Sequence, residues 1–196
     1  MPRRVEIISK ETTYKKFFFT VEEAHFRHEL YNGQMSKELV RLNLERGDSA
    51  AVILHDPATD TVVLTEQFRY PTYEKGPGWL LEIPAGTVEK SETSDPTVTL
   101  RREIMEEIGY KTEQMRFIYT FYVSPGGTSE RIHLYYAKAS PKDKAAKGGG
   151  VVSEGEDIRV LLVKVSDAMR LISDGKLADA KSIIGLQWLQ LNRSSL

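Results

Sequence analysis

The segment from Asp95 to Gly109 constrains this chain most, because it carries both ends of a helix and two conflicting faces between them. Asp95 offers an N-cap acceptor, Pro96 suits the first helical position, and Gly109 suits the residue that leaves a helix in the left-handed region. At about 100° per residue, Leu100, Ile104 and Ile108 share one arc, and Glu103, Glu106 and Glu107 share the arc beside it. The apolar arc demands another element to cover it. The three carboxylates repel one another at spacings of three and four residues, so something should compensate them. A hard divalent cation would do so, since Mg²⁺ takes a few carboxylate oxygens together with water and substrate phosphates. Taken alone, a Glu-x-x-Glu-Glu run reads as a solvated acidic face.

Around this helix the pattern is strand-rich. Strand-like runs at Val5–Ile8, Phe17–Val21 and Ala24–Tyr31 predict a small three-stranded antiparallel unit before about Leu44, with Asn32-Gly33 favouring a type I′ turn. Ser49–Leu54 and Thr61–Tyr70 predict a hairpin whose turn chemistry comes from Asp56, Pro57 and Asp60. Further strands are predicted at Trp79–Ile83, Met115–Val123, Ile132–Ala139 and Ile158–Val165, and helices at Asp167–Ser173 and Asp179–Asn192. Helices mixed with antiparallel hairpins argue an α+β layered domain. Pro141–Gly150, ending in three glycines, reads as a mobile linker or lid.

Composition removes several function classes. At 196 residues the chain can bury a proper core, as one domain with a small appended one. Its 27 basic and 28 acidic residues give no electrostatic footprint for nucleic acid or a membrane surface, so an anionic substrate must be met locally. The absence of cysteine excludes disulfides, thiolate metal sites and thiol nucleophiles. No apolar run of signal or membrane-span length follows Met1-Pro2-Arg3-Arg4, so a cytoplasmic location is expected.

The run Arg102-Glu103-Ile104-Met105-Glu106-Glu107-Ile108-Gly109 follows a glycine loop that begins at Gly86 and contains Glu92. This arrangement resembles the box of the Nudix family: Gly, five residues, Glu, seven residues, Arg-Glu, an aliphatic, any residue, Glu-Glu, any residue, Gly. One departure stands out, since nine residues, Thr93 to Arg101, separate Glu92 from Arg102 where the family has seven. The two extra residues fall most simply in the loop before Asp95, which leaves the acidic helix face unchanged and the role of Glu92 open.

Pro125, sixteen residues after Gly109, lies in Ser124-Pro125-Gly126-Gly127-Thr128-Ser129-Glu130, which resembles the substrate loop of the ADP-ribose pyrophosphatase subfamily. The likeness extends through Phe26-Arg27-His28, Glu45-Arg46-Gly47, Glu66-Gln67-Phe68-Arg69, Gly155-Glu156-Asp157 and Leu186-Gln187-Trp188. It implies a Nudix α/β/α sandwich with a mixed sheet at residues 46–196, preceded by a small β domain at 1–45 that is exchanged between the subunits of a homodimer. It also implies Mg²⁺-dependent hydrolysis of ADP-ribose to AMP and ribose 5-phosphate, with two or three ions and Mn²⁺ as a substitute.

The same resemblance assigns Ala85 (through its carbonyl), Glu103, Glu107 and Glu156 to the metal, with Glu106 of lower rank, and Glu154 to general base catalysis. Substrate contacts fall to Arg41, Leu42, Asn43, Arg69, Thr87, Ser124, Pro125, Gly126 and Glu130. As isolated side chains Arg41, Arg69 and Glu130 would read as surface ion pairs or solvated groups. Arg102 is expected to orient the helix acids, because a guanidinium can bridge carboxylates. Two alternatives remain open: hydrolysis of GDP-mannose or another nucleoside diphosphate sugar, and a non-catalytic nucleotide-binding module. Retention of Glu103, Glu106, Glu107, Glu154 and Glu156 argues against the second.

Overall fold

A computed structural model describes residues 3–89, 91 and 95–196, so Glu92 lies outside the described residues. The chain forms two compact units, residues 1–47 with 122–131, and residues 48–121 with 132–196.

The first unit is an antiparallel meander of β1 (Val5–Lys16), β2 (Phe19–His28) and β3 (Leu39–Glu45). Its strands differ from those expected. The charged stretch Lys10–Lys16 continues β1, with register shifts between Ile7 and Ser9 and between Thr12 and Tyr14. Every residue of β1 is exposed, so no alternation of apolar residues marks its length. The chain reverses at Phe17, which takes a φ of 55°, inside an aromatic run that looks like strand. The runs expected at Phe17–Val21 and Ala24–Tyr31 therefore merge into β2. Asn32-Gly33 makes no type I′ turn: Gly33 has φ 83°, but Asn32 is not among the residues with positive φ. Asn32 instead accepts from the Gln34 N–H at 3.0 Å, within a loop between β2 and β3.

The second unit is built on a mixed sheet in the order β10 (Arg159–Lys164), β5 (Thr61–Phe68), β4 (Ser49–Asp56), β9 (Arg131–Lys138) and β8 (Arg116–Tyr122). β4 runs parallel to β9, while β10 and β5 pair antiparallel. β4 is buried from Ser49 to His55, a continuous apolar run of the kind found where both sheet faces are covered. Ala51 and Ile53 pack with Val165 and Ala168 of α2 (Val165–Ser173) and Leu186 and Leu189 of α3 (Ala180–Asn192). Ala50, Val52 and Leu54 face the other way, onto Leu100, Ile104 and Ile108. These last three lie on α1 (Thr97–Glu103) and its continuation Ile104–Ile108, so the layers are α/β/α. Among the described residues no helix is long and apolar enough to cross a membrane.

Helix α1 starts one residue later than expected, at Thr97 with Pro96 in the cap position, and the Asp95 carboxylate still holds that start by accepting from the Thr97 N–H at 3.0 Å and the Thr97 hydroxyl at 2.6 Å. It ends at Gly109, with φ 73°. A Cβ at Gly109 would lie 2.1 Å from the Ala146 carbonyl oxygen. The conformation and the contact together predict that Gly109→Ala lowers stability by about 2 kcal/mol. Urea unfolding should show this as a lower midpoint with an unchanged slope.

Candidate active site

The site begins with a split in the sheet. β4 and β5 pair with each other only at His55 with Val62 and Asp56 with Thr61. Beyond that they diverge, and residues 79–87 enter the gap. β6 (Trp79–Glu82) pairs with β5 and β7 (Ala85–Thr87) with β4, and Val52 donates to the Pro84 carbonyl at 3.1 Å. This insertion brings the backbone of Ala85 and Gly86 beside α1. A Cβ at Gly86 would meet Glu103 Cγ at 2.2 Å, so only glycine lets the carboxylate lie this close to the main chain.

The acid helix departs from an ideal α-helix, since Ile104–Ile108 is π-helical. A single π turn widens the coil and inserts a residue into the register, a change invisible to a constant angular step. Even so, Leu100, Ile104 and Ile108 are fully buried and the acids line the neighbouring surface. Glu107 is only 3% exposed and accepts from the Ala85 N–H at 3.3 Å. Burial, reinforced by the charge of Glu103, pushes the Glu107 carboxyl up to about 8. Burial likewise pushes Glu103 up to about 7, with Arg102 opposing it and Glu106, Glu156 and Glu154 adding to it. Arg102 contacts Glu103 at 3.1 Å and Glu106 at 3.1 Å, so its guanidinium lies across the two acids.

Residues 141–150 do not hang free of this helix. The Gly149 N–H donates to the Glu107 carbonyl at 2.8 Å, Gly150 to Glu106 at 3.0 Å, and Ala145 to Gly109 at 2.8 Å. Gly148 to Gly150 all have positive φ, and a Cβ at Gly148 would lie 2.6 Å from the Ile108 carbonyl carbon. The expected lid or linker is thus joined main chain to main chain, which a composition of Lys, Ala and Gly disguises. From it the chain enters a 3₁₀ turn at Val152–Glu154, where Glu154 is exposed. Glu156 is half-buried and accepts from the Val151 N–H at 2.8 Å.

Among the described residues, no three acidic or imidazole side chains already enclose an ion. The donors nevertheless suit a divalent cation in kind. Glu107 is buried and Glu103 half-buried; burial disfavours the ionised form of each, the charge of Glu103 adds to this at Glu107, and the charges of Glu106, Glu154 and Glu156 add to it at Glu103. A cation there would reverse both penalties.

Arg69, at the end of β5, also belongs to this unit. Its Nε donates to Glu82 at 2.8 Å, and its positive charge acts on Glu107. Thr87 is exposed on β7. Arg41 and Leu42 are exposed on β3 with Asn43 half-buried, and Ser124, Pro125 and Gly126 are exposed; these belong to the first unit. Glu130 of that unit is buried and paired with Arg46 at 3.3 Å. Sequence reasoning missed Glu82 and Lys181, both buried and joined at 2.5 Å. The one available signal was a lysine at the start of a helix whose following residues are apolar or small.

A NUDIX domain model matches residues 45–184. The chain is 41% identical over 195 residues to the ADP-ribose pyrophosphatase of Escherichia coli K12, covering 98% of this chain and 90% of that one. It is 39% identical over 150 residues to the GDP-mannose pyrophosphatase of Escherichia coli O1:K1, covering 76% of each. A crystal structure of an ADP compounds hydrolase superposes with a TM-score of 0.71 at 19% identity, over 95% of both chains, which is a likeness of fold.

The two raised carboxyls make stability depend on pH. For a group whose folded value exceeds its unfolded one, near 4.5, the stabilising contribution is full below 4.5 and is lost as pH rises through about 7 for Glu103 and about 8 for Glu107. Metal-free protein should therefore show a melting temperature that falls from pH 5 to pH 8.5. Added Mg²⁺ should raise it most at the alkaline end. A melting temperature indifferent to both pH and metal would mean that these acids do not share one site.

Proposed function

Since the chain belongs to the NUDIX family, we propose that it hydrolyses the pyrophosphate bond of ADP-ribose, with water, to AMP and ribose 5-phosphate. The observation that carries this reading is the buried Glu107 and half-buried Glu103 held against the Ala85-Gly86 backbone, in a chain so similar to an ADP-ribose pyrophosphatase along nearly its whole length. Such chemistry needs positioning and charge neutralisation more than covalent catalysis.

Mg²⁺ is the proposed cofactor, as two or three ions with Mn²⁺ able to substitute; when bound it supplies charge neutralisation on the pyrophosphate and acidifies water. Glu103, Glu107 and the Ala85 carbonyl would hold it from the helix side and Glu156 from the loop, with Glu106 in a lesser role. Glu154, exposed on its 3₁₀ turn, is the proposed general base for the attacking water. The proposed substrate contacts are Arg69, Thr87, Arg41, Leu42, Asn43, Ser124, Pro125, Gly126 and Glu130, the last also pairing with Arg46.

The first unit supports a homodimer in which the N-terminal β domain, residues 1–45, is exchanged to complete a partner's site. All twelve residues of β1 are exposed, including Val5, Ile7 and Tyr14, and a three-stranded sheet with that much apolar surface calls for a covering partner. A cytoplasmic location belongs to the same reading. Likeness to a GDP-mannose pyrophosphatase keeps that substrate as the second candidate.

Purified protein with Mg²⁺ should release AMP from ADP-ribose faster than it turns over GDP-mannose, and Glu107→Gln should lower kcat by roughly a thousandfold. Binding of ADP-ribose without AMP release under any divalent metal would refute the hydrolase reading. Sedimentation should give a dimer; a fully active monomer would remove the exchanged domain.

A further inference from the structure

A chain of four buried or half-buried charges runs from the start of α3 to Arg69. Asp179 caps α3, accepting from the Ser182 N–H at 3.0 Å, and its other oxygen contacts Lys181 Nζ at 3.0 Å. Lys181 Nζ reaches Glu82 Oε1 at 2.5 Å, and Arg69 Nε donates to Glu82 Oε2 at 2.8 Å. Lys181 and Glu82 are the most enclosed members, with side chains 10% and 6% exposed, against 16% for Asp179 and 41% for Arg69. Burial pushes the Glu82 carboxyl up, but Lys181 and Arg69 outweigh it and hold it below its ordinary value.

Each oxygen of Glu82 therefore serves one cation, and Lys181 is itself shared with Asp179. Arg69 spends only its Nε on this network. Its Nη edge has no protein partner among the described residues, and its charge is felt at Glu107. Were Lys181 neutral, Glu82 would have Arg69 as its sole counter-ion, and a buried carboxylate with a free oxygen would pull the guanidinium inward by a second hydrogen bond. The positive potential on the outer side of Arg69 would fall with it.

We propose that Lys181 is a positioning residue for substrate binding: by occupying one oxygen of Glu82 it confines that carboxylate to Arg69 Nε and reserves the guanidinium's outer edge for an anionic group of the nucleotide. This rests on the reading of Arg69 as a substrate contact. Ser182 extends the effect, since its hydroxyl accepts from the Ile83 N–H at 2.8 Å and fixes α3 to the strand that carries Glu82.

The test is a double-mutant cycle read as KM and kcat for Mg²⁺-dependent hydrolysis of ADP-ribose. Lys181→Gln should raise KM about tenfold and leave kcat within about twofold, while Lys181→Arg restores KM. In an Arg69→Gln background, Lys181→Gln should have no further effect on KM. Effects that add in full, or a loss of kcat at constant KM, would show a structural role alone and overturn the proposal. An unchanged KM in Arg69→Gln by itself would instead overturn the substrate role of Arg69. Should Lys181→Gln fail to fold, Asp179→Asn serves as the second variant: it keeps the helix cap and leaves Lys181 to Glu82 alone, so KM should stay at or below the wild-type value, and a tenfold rise would refute the idea.

Discussion

Two carboxylates held side by side in a nearly dry place are the constraint on which the rest of this structure depends. Glu107 is sunk between the apolar underside of its own helix and the backbone of Ala85, and Glu103 lies against Gly86 so closely that no side chain could stand there. Such a pair is costly to ionise, and the surrounding architecture keeps it in place. The gap between β4 and β5 admits the segment that meets the acids, and the apolar stripe of α1 holds the helix down on the sheet. A protein interior ordinarily removes such a conflict by protonation. The raised carboxyls of Glu103 and Glu107 show the same response, and a bound cation would relieve the conflict with both acids ionised.

Much of this was legible in the sequence, and the exceptions have physical causes. Asp95, Pro96 and Gly109 announced the helix ends because capping is local chemistry, and Leu100, Ile104 and Ile108 announced the buried face because burial follows periodicity. The π turn at Ile104–Ile108 left no mark, since it changes spacing without changing composition. β1 was foreshortened because an exposed strand has no buried face to write into the sequence, and Phe17 was taken for strand because a reversal normally shows glycine or asparagine there. The Glu82–Lys181 pair lies 99 residues apart in sequence, and no local rule joins such partners.

The division of the chain bears on specificity. The acids proposed to hold the metal lie in the second unit, as does Arg69, whereas Arg41 and the Ser124–Gly126 loop belong to the first. The likeness to a GDP-mannose pyrophosphatase covers 76% of the chain, and that to an ADP-ribose pyrophosphatase 98%. Keeping one reaction centre while changing the recognition elements around it is a common solution when one fold serves many substrates.

The union of the 145–150 segment with the acid-bearing helix is made by peptide groups, N–H against carbonyl. Hydrogen bonds of this kind ask of a side chain only that it not be proline, so Ala145, Ala146 and Lys147 carry no visible sign of the joint, whereas a side chain at Gly148 would collide with the helix backbone. A stretch with the look of a spacer is thereby a precise joint, because its precision is stored in the main chain.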